Sequence, residues 1–224
     1  MDAGAARDAY LALGAQLGRW QARQSDGSTI ISTVCDFHAR LQLVSRSRAP
    51  GAGPGVGTVR GNAASVKRFG VLATDMRVVD VLRHKHEIGM HNLVAAMHRT
   101  VDDLSAVRDR LGELTTEAWR AHGSRELSLG ETAEPLWTTV PGALGVALRE
   151  RIKLPSIAQL LEDHLALDRS LGEELRLKRQ IAARLSNDMS AIEMCELARL
   201  WALQPYLDTE RVAFVNALAR CFVS

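Results

Sequence analysis

Residues 66–121 read VKRFGVLATDMRVVDVLRHKHEIGMHNLVAAMHRTVDDLSAVRDRLGELTTEAWRA. Steps of three and four through this stretch fall on Leu72, Met76, Val79, Arg83, His86, Met90, Leu93, Met97, Thr100, Leu104, Val107, Leu111, Leu114 and Ala118. Most of these are apolar, and the residues between them are mostly polar or small. A 3-4 alternation held over several heptads draws one apolar seam along a long helix. No proline interrupts it. At about 1.5 Å per residue the helix extends on the order of 80 Å, too long to sit inside one compact core. It must lie along another helix of this chain, along a partner, or both.

The flanking sequence supplies further helices. Tyr10, Leu13, Leu17 and Trp20 share one face over 5–46, and Ile31, Val34, His38 and Leu41 continue it in the same phase. Ser25-Asp26-Gly27-Ser28 lies between the two sets, and its low helix propensity predicts a kink or short break. Residues 49–62 are rich in Gly and Pro and read as a linker. Their glycines follow a helix and lack a Gly-Lys-Ser/Thr ending, which excludes a phosphate-cradling loop. Gly123 is placed to end the long helix, with a connector and a short helix at 143–153 before Pro155. From Pro155 to Ser186 a second seam runs through Leu160, His164, Leu167, Leu171, Glu174, Lys178, Ile181 and Leu185. Ser190 caps a helix over 191–203, Pro205 stops it, and Asp208 or Thr209 caps the last helix, to about Phe222. The organisation that follows is 1–48 N-terminal helix, 49–64 linker, 65–122 long coiled-coil helix, 123–154 connector and 155–224 C-terminal helical region. The expected fold is all-α: an elongated antiparallel helical hairpin, or a three-helix coiled coil, with a small C-terminal helical cap.

Composition narrows function. The net charge of +2, with both signs interspersed, predicts neither a nucleic-acid-binding nor a membrane-binding surface. Cys35, Cys195 and Cys221 are odd in number and widely spaced, as free thiols in a reducing compartment would be. The N-terminus carries no secretory pattern and no apolar run reaches membrane-spanning length, so a cytoplasmic or nuclear location is expected. His84, His91 and His98 repeat every seven residues, about 10 Å along a helix, too far apart for one metal ion. They read as a solvated or interfacial stripe. Arg83 and His86, on the seam itself, read as register-setting polar residues. Asp102-Asp103 and Glu173-Glu174 are helix neighbours that face different ways and read as solvated. Cys35 reads as a small buried hydrophobe. Arg125-Glu126-Leu127-Ser128-Leu129 fits a loose cyclin-docking pattern, too short to be specific. No hydrolase, metalloprotease, dithiol or calcium-loop motif occurs, so no enzyme, cofactor or metal is expected.

The C-terminal third carries a resemblance. Glu173 to Ala182 reads EELRLKRQIA, and Leu200 to Asp208 reads LWALQPYLD. Together they resemble the family of the cyclin-dependent-kinase-two-interacting protein, CINP. Its members carry a Glu-Leu-Leu-Leu-Lys-Arg-like run followed by a Trp-x-x-Gln-Pro-Tyr turn, here Trp201, Gln204, Pro205 and Tyr206. Trp20 ahead of Asp26-Gly27, and Pro135-Leu136-Trp137, resemble upstream family segments. The glycine-rich linker, the missing tyrosine before the Glu-Leu-Leu run and the longer segment between Trp137 and Pro155 depart from the pattern, as in a divergent member.

The resemblance implies a non-enzymatic coiled-coil adaptor associated with AAA-type ATPases and a second small helical protein. Its settings would be ribosome maturation, DNA replication, genome maintenance and the cell cycle. Expected partner contacts are Leu72, Met76, Val79, Met90, Leu93, Met97, Leu104 and Leu111 on the seam, Leu177, Lys178 and Arg179, and Trp201, Gln204, Pro205 and Tyr206 at the turn. In the alternative for Trp201 and Tyr206, these aromatics only close the helical unit by packing. A structural coiled-coil component of a cytoskeletal or ciliary complex is the rival reading of the whole chain. A histidine-based metal enzyme is a third.

Overall fold

The computed structural model describes residues 3–46, 76–126, 157–186 and 189–223. The protein is all-α. Helix α1 spans Ala3–Arg46, α2 Met76–Glu126, α3 Ile157–Arg184, α4 Ala191–Leu203 and α5 Thr209–Val223. The linker, most of the connector, the short helix at 143–153, Pro135-Leu136-Trp137 and Leu72 lie outside the described residues.

Helix α1 is unbroken. The expected kink at Ser25–Ser28 is absent, and Gly27 has a different purpose. A Cβ built there would collide with the Trp201 indole. The missing side chain is therefore a slot for an aromatic ring, and glycine's low helix propensity is outweighed by the close approach it permits. All eight apolar-face residues of α1, from Tyr10 to Leu41, are buried, as their shared phase requires.

Helix α2 also runs past its expected end. Gly123 is helical, and the helix continues to Glu126. One glycine costs a helix only about 1 kcal/mol relative to alanine, and Ala121, Arg125 and Glu126 nearby are good helix formers. On the α2 seam Val79, Met90, Met97, Thr100, Leu104, Leu111 and Ala118 are buried, and Leu93, Val107 and Leu114 are half-buried. Met76 opens the helix. Arg83 departs from the seam: it is exposed and pairs with Glu87 at 2.8 Å. A guanidinium needs water or a full set of partners, and the helix surface supplies both. His84, His91 and His98 are exposed. The α3 seam is buried at all eight positions, Leu160 to Leu185.

The chain divides into two compact units, which do not follow the sequence-derived segments. One comprises 1–26, 100–180 and 203–224; the other comprises 27–99 and 181–202. In the first, α2 and α3 run antiparallel, with Ser105 bonded to Arg179, Arg108 to Asp168 and Thr115 to His164. Helix α5 lies antiparallel to α1: Arg7 donates to the Phe222 carbonyl at 2.8 Å, and a Cβ at Gly14 would fall 2.7 Å from that of Ala219. The core comprises Tyr10, Leu13, Leu17, Trp20, Leu104, Leu111, Leu167, Leu171, Val215 and Leu218.

In the second unit α1 meets α4 antiparallel, through Gly27 with Trp201 and Cys35 with Met194. Phe37 covers Gly89 and stacks obliquely on His86, at 5.4 Å between ring centroids. His86 is therefore a packed seam residue. Burial of several leucine- and methionine-sized side chains per unit, at roughly 1.5–3 kcal/mol each, supplies the main drive for folding.

The C-terminal caps match the sequence reading. The Ser190 hydroxyl accepts from the Glu193 N–H at 3.2 Å, and the Ser190 N–H donates to Glu193 Oε2 at 2.9 Å, forming a reciprocal capping box. The Ser190 N–H and the Ser190 hydroxyl, which donates to the same Oε2 at 2.8 Å, hold the Glu193 carboxyl below the usual range. Asp208 caps α5 by accepting from the Arg211 N–H at 3.0 Å.

Candidate interaction site: the Gln204–Leu207 turn and its buried support

Helix α4 stops at Leu203, and Gln204 takes φ 45°, the left-handed conformation of a residue just past a helix end. That conformation costs a non-glycine residue about 1–2 kcal/mol. Local bonds offset it. The Trp20 indole N–H donates to Gln204 Oε1 at 3.1 Å, and the Leu207 N–H closes a β-turn on the Gln204 carbonyl at 3.1 Å. Pro205 sits second in that turn, where its fixed φ fits and no N–H is needed. The next N–H, from Tyr206, donates to Glu174 Oε2 at 3.2 Å.

Glu174 and Lys178 are one turn apart on α3, and both side chains are wholly buried. Lys178 Nζ lies 2.9 Å from Glu174 Oε1. Glutamate preceding lysine by four residues is the favourable helical order. Burial pushes the lysine ammonium below its usual value, against the pull of Glu174 in the opposite direction. A buried carboxylate thus faces a cation on one oxygen and a turn N–H on the other. The solvated reading of Glu173-Glu174 is corrected here. Glu173 is half-buried and pairs with Arg176 at the surface, whereas Glu174 points into the interior because it lies on the α3 seam.

These bonds hold out the Tyr206 ring, which is 54% exposed beside exposed Leu203. Pro205 and Arg179 are also exposed, while Gln204 and Leu177 are half-buried. Arg179 donates to Ser105 at 2.8 Å.

The remaining candidate contacts fall elsewhere. Val79, Met90, Met97, Leu104, Leu111, Lys178 and Trp201 are buried within the protein. A partner docking on this folded chain does not touch them, because the chain's own helices already cover the seam. Leu93 is half-buried. Leu72 is outside the described residues, and Met76 is placed only by its backbone. Sequence reasoning gave no role to Trp20 or Glu174 at the turn. Tryptophan and glutamine in the Trp-x-x-Gln-Pro-Tyr run were the available signals, since each buried polar group needs a partner somewhere.

A second polar cluster lies in the first unit, between α1, α3 and α5. The Tyr10 hydroxyl donates to Asp163 Oδ2 at 3.3 Å, Gln159 donates to Oδ1 at 3.1 Å, and Arg211 lies 3.5 Å away. Burial raises the Asp163 carboxyl; it also raises the Tyr10 hydroxyl, with Asp163 adding to that effect. Beside it His164 is buried, and burial pushes its imidazole down to about 4. The Thr115 hydroxyl donates its proton to the Leu111 carbonyl at 2.9 Å, so toward His164 Nδ1 at 3.4 Å it can only accept. This assigns the proton to Nδ1 and leaves Nε2 as a bare acceptor.

The depressed value has a consequence. Between about pH 6.5 and 4 the folded state binds fewer protons than the unfolded chain, so His164 withdraws stability as pH falls through that window. The shift corresponds to about 3 kcal/mol. Wild-type protein is expected to lose that much more stability than a His164→Leu variant between neutral pH and pH 4. Urea unfolding of both proteins across the range measures it, and parallel curves would refute the assignment.

Among the described residues no group of three His, Cys, Asp or Glu side chains could hold a metal ion. No helix there is long and apolar enough to cross a membrane. Fold and site together define an all-α helical protein whose buried ionisable groups fix a turn and hold helices in register. In comparison with known proteins, no family model matches the chain, and no curated protein matches it in sequence.

Proposed function

We propose that the protein is a non-enzymatic helical adaptor and that it presents Tyr206 to a helical protein partner. One observation carries this reading: an exposed aromatic ring stands on a turn whose backbone is tied to a buried carboxylate. Such a ring loses little conformational freedom on binding, and rigid aromatic anchors supply much of the affinity of protein interfaces. Packing alone would not require the ring to face water. The likeness of Trp201, Gln204, Pro205 and Tyr206 to the CINP turn supports the same function. It extends the proposal to an AAA ATPase assembly acting in ribosome maturation or in replication and genome maintenance, in the cytoplasm or nucleus. The α2 seam takes the part of scaffold in this reading, in place of the docking role expected of it.

Affinity purification of wild type and Tyr206→Ala, with mass spectrometry, tests the proposal. Because the ring is exposed, the substitution should leave the melting temperature within about 2 °C of wild type, the range of a surface change of about 0.5 kcal/mol. Recovery of the main partner should fall at least tenfold. Full recovery by the variant removes Tyr206 from the interface. Enrichment of tubulin-associated proteins in the wild-type sample would favour the cytoskeletal alternative.

A further inference from the structure

We infer that Cys35 and Cys195 form a thiol–disulfide modification site that reversibly crosslinks α1 to α4 within the second unit. The Cys35 thiol is half-buried, and its sulfur lies 3.9 Å from the carbonyl oxygen of Met194, the residue that precedes Cys195 on α4. The helices are antiparallel here, and their register is fixed at a second point. Gly27 admits the Trp201 ring, so the two backbones approach closely. Eight residues along α1 from Gly27 is Cys35, and seven back along α4 from Trp201 is Met194. Each step is about two helical turns, so the two contacts belong to one continuous interface. Cys195 is exposed at its edge.

The two thiols differ in a useful way. Cys195 is open to a small reagent. Burial raises the Cys35 thiol, and the charge of Cys195 raises it further. Cys195 therefore reacts first and Cys35 resolves. The oxidant is a small-molecule disulfide of the glutathione class. The Cys195 thiolate attacks one of its sulfurs and bonds to it, the small molecule's S–S bond breaks, and one small thiol leaves, so that a mixed disulfide remains on Cys195. Cys35 gives up its proton and attacks Cys195 Sγ, expelling the second small thiol. Two protein thiols are oxidised to one disulfide, and one small disulfide is reduced to two thiols. The crosslink closes a long loop and so restricts the unfolded chain. Half-buried Cys221, on α5, is the internal control.

The full chain is incubated with oxidised glutathione, its thiols are titrated under denaturing conditions, and it is then mapped without reduction. The expected result is loss of two of the three thiols, with a peptide joining residues 35 and 195. The melting temperature should rise on oxidation and return with a reducing thiol, and Cys195→Ser should lose the whole rise. Three thiols remaining free, glutathione adducts alone, or only bonds between molecules would each overturn the inference. Because the mapping uses wild-type protein, a poorly folding variant cannot obscure the outcome.

Discussion

Replacing Lys178 by methionine should lower stability by about 3–5 kcal/mol near neutral pH, far more than removing a surface lysine does. The substitution keeps most of the side-chain volume and removes the ammonium. It leaves Glu174 charged, wholly buried and without the cation that sits 2.9 Å away in the wild type. The energy lost is mainly that of stranding a carboxylate in the interior. One further outcome distinguishes this cause from lost packing. Adding Glu174→Gln to Lys178→Met should restore part of the loss, because an amide oxygen still accepts from the Tyr206 N–H without a charge. Chemical unfolding of the two variants, with exposed Lys85→Met as reference, measures this. If Lys178→Met is no more damaging than Lys85→Met, the ion pair does not hold the turn.

The second large effect is at Trp201, where substitution by alanine should cost about 3–5 kcal/mol. The ring is 0% exposed and occupies the slot over Gly27. Gly27→Ala provides the sharper test because its sign is reversed. In an ordinary helix interior glycine to alanine stabilises by about 1 kcal/mol, and a kinked, solvated Ser25–Ser28 segment would be stabilised in the same way. Here the added methyl meets the indole, and overpacking should destabilise by about 1–3 kcal/mol. Combining Gly27→Ala with Trp201→Ala should cost less than the sum of the single changes, since the methyl enters space vacated by the ring. Thermal and urea unfolding of the three variants completes the cycle. Stabilisation by Gly27→Ala would mean that the ring does not occupy this slot.

The helices were legible because apolar period and capping chemistry are local. Ser190 and Glu193, Asp208 and Pro205 fix α4 and α5 within a few residues, whatever packs on them. The α3 seam positions were also legible, His164 and Lys178 included, since position on a helix face depends only on 3.6-residue geometry; at Glu174 the same geometry prevails over the solvated reading of the acidic pair. The same reasoning failed where one residue type has two physical uses. Glycine lowers helix propensity and also permits close approach, and at Gly27 the second effect prevails. Arginine can sit on a seam or extend past it, and Arg83 extends to Glu87.

Sequence by itself determined an all-α protein, with its apolar faces, the stop before Pro205 and its two C-terminal caps. Tertiary structure decided which of those faces are already covered, because burial depends on neighbours far away in the chain. It turned the long α2 seam from an open docking edge into interior. It also paired Glu174 with both Lys178 and the Tyr206 N–H, set Trp201 on Gly27, and brought Cys35 beside the Met194 carbonyl. Pattern along a helix gives the direction in which a side chain points; only the fold brings another group to meet it.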